Sequence, residues 1–350
     1  MVSRKKRLSN IHLIGLTGKG GGVQWEGMVD KDKKAGFSPK DVLREALAAE
    51  QRVRPGIRVT PLMACPFLER LAGCRCWLKL ETRQQTGSFK ARGAMSFLQG
   101  LDKNSVAGVV AASTGNHGLA VTWAAKLMSI PVTVVVPETV SPLKAERLRS
   151  TGATIIHHGD DVVQAELRAR ELAGESHQPY VPPYNHPRII GGQAGVALEL
   201  ERQMGFPDHV LVPVGGGGLI SGVAGWFSAR GAATRVVGCQ PGNSDIMAAS
   251  VAAGRILDLP SRPTLAAASA GGIEAGSITF PICRDHVAAW QRVSEEEIRR
   301  AMQDLKRETG ILAEGAAAMP VAALRSNPGA YAGSTVVLVI SGGNTEAGET

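Results

Sequence analysis

Val210-Leu211-Val212-Pro213-Val214-Gly215-Gly216-Gly217-Gly218-Leu219 runs from an apolar, β-branched stretch straight into four glycines and then into a helix-like segment, 219–230. A short continuous apolar run bounded by glycine reads as a strand buried on both faces. The same unit recurs along the chain. Residues 106–111, 132–136, 154–157, 236–239 and 336–340 are further apolar strand candidates. Segments 118–128, 142–150, 161–172, 194–204 and 295–308 have helical length and composition. Strand, loop, helix, strand predicts an α/β protein with doubly wound parallel sheets and right-handed crossovers. Ligands of such sheets sit beyond the carboxyl ends of the strands, so the loops that follow strands are where chemistry is expected.

Composition narrows the choice of function. The chain has 350 residues, 44% hydrophobic and 20% charged, which is enough apolar material for two domains and rules out a disordered chain. With 39 basic and 31 acidic residues the formal charge is +8, but residues 1–35 hold eight basic and three acidic side chains and carry +5 of it. The remaining +3 leaves no electrostatic footprint for a nucleic acid. No run approaches the ~18 apolar residues of a membrane helix. Arg4-Lys5-Lys6-Arg7 before Ile11-His12-Leu13-Ile14 lacks the cleavage pattern of a signal peptide, and Met28 is an alternative start. Five cysteines without framework spacing point to reduced thiols and a cytoplasmic protein. Cys74 and Cys76 share a strand face, where they read as small buried apolar residues rather than half of a zinc site. Pro179-Tyr180-Val181-Pro182-Pro183-Tyr184 is the strongest composition break and reads as a crossing between subdomains.

Three strand-end loops are candidates for the site. Ser113-Thr114-Gly115-Asn116-His117-Gly118 brings hydroxyls, an amide and helix N-terminal N–H groups together, as a carboxylate or phosphate needs, although an ordinary N-cap has the same look. In Gly215-Gly216-Gly217-Gly218-Leu219, residues without Cβ let backbone amides close around an anion at a helix N-terminus. No Gly-Lys-Ser/Thr follows, and the next strand ends in Gln240 where a ribose-binding acid is expected, so a monophosphate fits better than a dinucleotide. Ser341-Gly342-Gly343-Asn344 puts a neutral hydroxyl at a buried strand end, able to meet a ring nitrogen without charging it. Between an aromatic and a helix of small residues, Ser88-Phe89-Lys90-Ala91-Arg92-Gly93 holds Lys90. A lysine against apolar surface has a lowered pKa and becomes nucleophilic toward an aldehyde.

These residues together resemble the fold-type II pyridoxal-phosphate enzymes (tryptophan synthase β-like), in particular the serine/threonine dehydratase and serine racemase group. The match runs from Thr60-Pro61-Leu62 to Asn344 and rests on four motifs in the right order. It implies two doubly wound domains with the active site between them: a large coenzyme-binding domain from 51–107 and 185–350, and a small one from 108–184, with 1–50 a partly disordered extension. It also implies that pyridoxal 5'-phosphate is the cofactor and that Lys90 binds its aldehyde covalently. Phe89 then lies against the ring, Asn116 meets the phenolic oxygen, Gly215 to Gly218 and Leu219 hold the phosphate, and Ser341 meets the ring nitrogen. Glu314 matches a family glutamate beside the cofactor, and equally reads as an acid at a helix N-terminus. Ser113, Thr114, Asn116 and His117 hold the substrate carboxylate. The activity implied is that of a carbon–oxygen lyase, which removes the β-hydroxyl of a small amino acid such as threonine or serine to give a 2-oxo acid and ammonia. A homodimer is implied as well.

Two positions depart from the group. Racemases carry a serine as the opposite-face acid/base where this chain has Thr114, whose methyl restricts the rotamer. Relatives bind a divalent cation through an acid where this chain has Gln240, leaving Gln240 and Asp245 as weak metal candidates and no metal expected. The alternatives are a racemase or a β-replacement synthase on the same scaffold, or a dehydratase of hydroxyectoine utilisation, a branch that 271–273 and 283–285 resemble. No regulatory domain is expected after Asn344.

Overall fold

The computed structural model describes residues 36–102 and 105–345. Nine strands form two sheets among these residues: β1 (Leu62–Ala64), β2 (Arg75–Leu80), β3 (Val109–Ala112), β4 (Val132–Val136), β5 (Thr154–His157), β6 (His209–Pro213), β7 (Arg235–Pro241), β8 (Ala289–Val293) and β9 (Thr335–Ile340). The larger sheet has the order β1-β2-β9-β6-β7-β8 and the smaller β3-β4-β5. All pairs are parallel except the edge pair β1–β2, which is antiparallel. The expected parallel sheets are therefore present, with one edge strand reversed.

The helices are α1 (Pro39–Val53), α2 (Pro66–Ala72), α3 (Lys90–Gln99), α4 (Asn116–Leu127), α5 (Pro142–Arg149), α6 (Val162–Glu175), α7 (Pro187–Met204), α8 (Gly218–Ala229), α9 (Ile246–Ala253), α10 (Thr279–His286), α11 (Glu295–Thr309) and α12 (Gly315–Ser326). Alternation along the strands decides which helices cover which face. Leu211, Leu338 and Cys76 point into a core closed by α2, α11 and α12. Val210, Val212 and Val337 point the other way, into a core closed by α1, α7, α8 and α10. In the smaller sheet Val109 and Val134 pack with α3 and α4, while Val110 and Val135 pack with α6. Both sheets are thus covered on both faces.

The first strand candidate, 106–111, lies three residues early at its start, because β3 begins only at Val109. Three strands fall outside the expected set: β1 is an apolar run of only three residues, and β2 and β8 mix charges into the pattern, as in Arg75-Cys76-Trp77-Leu78-Lys79-Leu80. Part of the expected extension is also structured: Val42, Ala46 and Ala49 of α1 are buried against α7 and α8. Residues 1–35, with the basic run and Met28, lie outside the described residues. The five cysteines are free and buried, in keeping with small apolar residues.

The proline-rich stretch is more than a tether. Val110 donates to Pro179 O at 3.0 Å and Val181 to Val110 O at 2.8 Å, so the segment lies along the edge of the smaller sheet before turning into α7. Helix α3 lies between the two halves, packed on α4 on one side and on α7 on the other. Close approach of α3 and α7 depends on Gly192, where a Cβ would come within 2.6 Å of Arg92 O.

Under α3 lies a fully buried ionic cluster. Arg92 donates Nε to Glu81 and Nη1 to Glu199, both at 2.8 Å. Lys79 Nζ donates to Glu199 at 2.7 Å and to Thr60 O and Gln203 Oε1 at 2.9 Å. Burial alone would raise the Glu199 carboxyl, but Arg92 and Lys79 hold it down at about 2. The cluster ties β2, α3 and α7 together and so sets where Lys90, at the start of α3, stands.

Candidate active site

A cleft of about 410 Å³ opens between the two sheets, a normal size for a small-molecule site. Lys90 is at its floor. Its Nζ donates to Pro183 O at 2.8 Å and lies 5.4 Å from the centre of the Phe89 ring. The surrounding protein disfavours the ammonium, and although Glu314 pulls the other way, the amine is brought down to about 8 from 10.5. The sequence-based expectation of a softened lysine is met by this environment.

Beyond the end of β6 the four glycines form a cradle that a side chain could not share. A Cβ at Gly216 would lie 2.4 Å from the Tyr184 ring, and one at Gly218 2.9 Å from Tyr184 Cβ. Gly217 caps α8 with φ +87°, a left-handed conformation that glycine adopts at no cost. Helix α8 starts at Gly218, so the first-turn N–H groups, including that of Leu219, have no carbonyl of their own and face the cleft with the positive end of the helix dipole. This is an anion site made of backbone.

On the opposite wall, Ser113 and Thr114 lead into α4, whose first residues are Asn116 and His117. Ser113 Oγ accepts from Gly115 N at 3.1 Å. The His117 ring is spoken for: its Nε2 is 2.9 Å from Val181 O, and burial, then the nearby Lys90, lower its pKa to about 3. A neutral ring with its proton on Nε2 leaves Nδ1 as an acceptor, which cannot donate to a carboxylate. His117 therefore offers a carboxylate its backbone N–H at the helix start rather than its side chain.

A chain of hydrogen bonds spans the cleft. Asn116 Nδ2 donates to both oxygens of Glu314, at 2.8 and 2.9 Å, and Asn116 Oδ1 accepts from Asn344 Nδ2 at 2.7 Å. Asn344 Oδ1 in turn accepts from Arg147 Nη2 at 2.5 Å. Glu314 is the N-cap residue of α12, yet its side chain makes no cap bond. It stands at the positive end of the α12 dipole and lines the cleft. Ser341, 2% exposed, closes the cleft after β9, and its carbonyl accepts from Phe89 N at 3.0 Å.

Every residue expected at the coenzyme and substrate thus lines this one cleft. Gln240 and Asp245 do not. Gln240 donates to Val214 O at 3.2 Å and accepts from Ala248 N at 2.8 Å, while Asp245 pairs with Arg292. Sequence reasoning missed Asn344 as a working side chain, along with Arg147, Tyr184 and Gln193. Asn344 stood in a quoted motif, but nothing in spacing marks the other three, which reach the cleft only through tertiary packing.

Pyridoxal phosphate fits these residues. The glycine cradle offers backbone N–H groups at positions packed too closely against Tyr184, Ser269 and Thr279 for any side chain, Lys90 is an amine brought down to about 8, and Ser341 offers a neutral partner for a pyridine nitrogen. The pyridoxal-phosphate dependent enzyme family matches residues 53–342, and the chain belongs to that family, with its fold-type II architecture. Its cofactor is pyridoxal phosphate. Among curated proteins, the chain is 34% identical over 303 residues to a β-hydroxyaspartate dehydratase of Paracoccus denitrificans (strain Pd 1222), covering 86% of this chain and 96% of that one. It is 36% identical to an L-threonine ammonia-lyase of Thermotoga maritima, over 87% of this chain and 76% of that one. The solved structure of maize serine racemase superposes with a TM-score of 0.83 at 32% identity, over 87% of this chain and 94% of that one.

Proposed function

We infer that the chain is a pyridoxal-phosphate-dependent lyase, a dehydratase that eliminates the β-hydroxyl of a hydroxy amino acid and yields a 2-oxo acid and ammonia. The observation that carries this reading is Lys90: an amine brought down to about 8, in one cleft with a backbone anion cradle and a second anion-binding helix start. The names of the Paracoccus and Thermotoga relatives support the same chemistry.

Bound pyridoxal phosphate supplies the electron sink that makes the substrate α-proton acidic. The polypeptide does the rest. Lys90 would hold the coenzyme through its amine, and Nζ is the base placed to take the α-proton. Ser113, Thr114 and the N–H groups of Asn116 and His117 would hold the α-carboxylate in the cleft that Lys90 lines. Gly215 to Gly218 and Leu219 hold the phosphate, Phe89 packs on the ring, and Asn116 meets the phenolic oxygen. Glu314 orients Asn116 and favours the protonated state of Lys90. Ser341 Oγ meets the ring nitrogen as a neutral partner. We take residues 108–184 as the small domain and 51–107 with 185–350 as the large one.

Racemisation is the second reading, carried by the likeness to maize serine racemase and by the Thr114 hydroxyl in the cleft. We further take the protein to act in the cytoplasm as a homodimer. The reduced cysteines support the first, and the family resemblance suggests the second. Among the described residues no helix is long and apolar enough to cross a membrane.

The test is a 2-oxo acid assay over a panel of β-hydroxy amino acids, with Lys90→Ala as control. The wild type is expected to release oxo acid and the variant to lose about 10³-fold or more. Undiminished turnover by the variant removes the mechanism, and a D-amino acid accumulating without oxo acid selects the racemase.

A further inference from the structure

The rim of the cleft carries a cation that the dehydratase reading does not use. Arg147, an exposed residue on α5 against the smaller sheet, lines the cleft, and among the described residues its guanidinium donates to the amide oxygen of Asn344. An amide oxygen satisfies one donor of a five-donor fork and compensates none of its charge. Glu314 is the only carboxylate among the described lining residues, and both its oxygens accept from Asn116. The two anions already allotted have seats elsewhere: the glycine cradle beside α8 and the start of α4. Of the rim side chains beside Arg147, Leu143 and Val162 are apolar and exposed and Lys144 is a second cation, so no carboxylate among the lining residues there competes for the guanidinium.

We propose that Arg147 receives a second carboxylate of the substrate, so that the preferred substrate is a β-hydroxy amino acid with an anionic side chain rather than threonine. The proposal rests on the dehydratase reading for the reaction and adds the substrate class. A carboxylate matches the planar fork in two parallel bonds and displaces the weaker bond to Asn344. Threonine, ending in a methyl group, leaves Arg147 where it is.

Two measurements on the holoenzyme decide it. The first is kcat/KM for 3-hydroxyaspartate and for threonine in wild type, Arg147→Met and Arg147→Lys. The wild type is expected to favour the dicarboxylate, and Arg147→Met to shrink that ratio roughly ten- to hundredfold, the range of a hydrogen bond between charged groups. Arg147→Lys keeps part of it. The second needs no turnover: titration of the coenzyme's visible band with L-aspartate and with L-2-aminobutyrate, where the same ratio of dissociation constants is expected and the same collapse in Arg147→Met. A wild type that prefers threonine and L-2-aminobutyrate overturns the proposal. So does an Arg147→Met variant that weakens both partners of each pair equally, since that marks Arg147 as a structural tie to Asn344. Failure of every hydroxy amino acid to react sinks the dehydratase reading instead, and the aspartate titration still decides Arg147.

Discussion

Two lysines a short way apart in the chain are both enclosed by protein, and they are handled in opposite ways. Lys79 has three acceptors for its three N–H groups, one of them the Glu199 carboxylate. Lys90 has a single carbonyl, with Glu314 acting on it from a distance. Burial lowers both amines, but Lys79 is held in a saturated network of ions, whereas Lys90 is left short of partners. A buried charge with all its bonds made is a fixed strut; one with most of its bonds missing is free to react. The strut lies under α3 and the reactive amine begins that helix, so the first positions the second.

The largest effect should come from breaking the strut. Glu199→Gln leaves Arg92, Lys79 and the partly exposed Arg54 facing an amide where they shared a carboxylate, and breaking a buried ion pair costs about 3–5 kcal/mol. In coenzyme-free protein thermal melting should fall by several degrees, while Lys90→Ala, which removes a group with one acceptor, should stay within about 1 kcal/mol of wild type. Equal losses would erase the distinction between the two lysines. The network also shapes acid stability. Glu199 has a folded pKa of about 2 against an ordinary 4.5, so its contribution is complete above pH 4.5 and is lost as pH falls through 2. That limb amounts to roughly 3 kcal/mol in wild type and should be absent in Glu199→Gln, as read by denaturant unfolding at pH steps between 5 and 2.

A smaller effect belongs to the cradle. Gly216→Ala places a methyl group 2.4 Å from the Tyr184 ring, which has to move before a phosphate can enter. Overpacking of this kind costs about 1–3 kcal/mol, so coenzyme affinity should drop roughly ten- to hundredfold. Titration of the visible absorption band measures it, with the melting temperature of coenzyme-free protein as a check on folding. Unchanged affinity would mean the amides, and the space beside them, do not hold the phosphate.

The two regions also differ in how much of them could be read beforehand. Gly215 to Gly218, Ser341 and Lys90 are legible because their chemistry is local: a residue without Cβ, a hydroxyl at a strand end, a lysine beside an aromatic. The strands of the parallel sheets are legible for the same reason, as runs of valine and isoleucine. The strut is not. Lys79, Glu81, Arg92 and Glu199 look like ordinary surface charges until β2, α3 and α7 are packed, and β2 itself is hidden by those charges. The His117 ring shows the same limit, because only the fold brings Val181 O to its Nε2 and turns an expected donor into an acceptor.

The mildest test follows the free amine itself. Only the neutral form of Lys90 attacks an aldehyde, and with a pKa of about 8 its neutral fraction rises about tenfold between pH 7 and pH 9 and then levels off. An ordinary lysine near 10.5 would climb about a hundredfold over the same interval and keep climbing. Growth of the visible band after pyridoxal phosphate is added to coenzyme-free protein, run beside the same coenzyme reacting with Nα-acetyl-lysine as the ordinary-lysine control, separates the two. A rate that has not levelled by pH 9.5 would show that the cleft does not soften this amine. Burial lowers the pKa and Glu314 opposes it, so Glu314→Gln should move the levelling point below 8. A shift upward would mean that the carboxylate acts on Lys90 through the placement of Asn116 rather than through its charge.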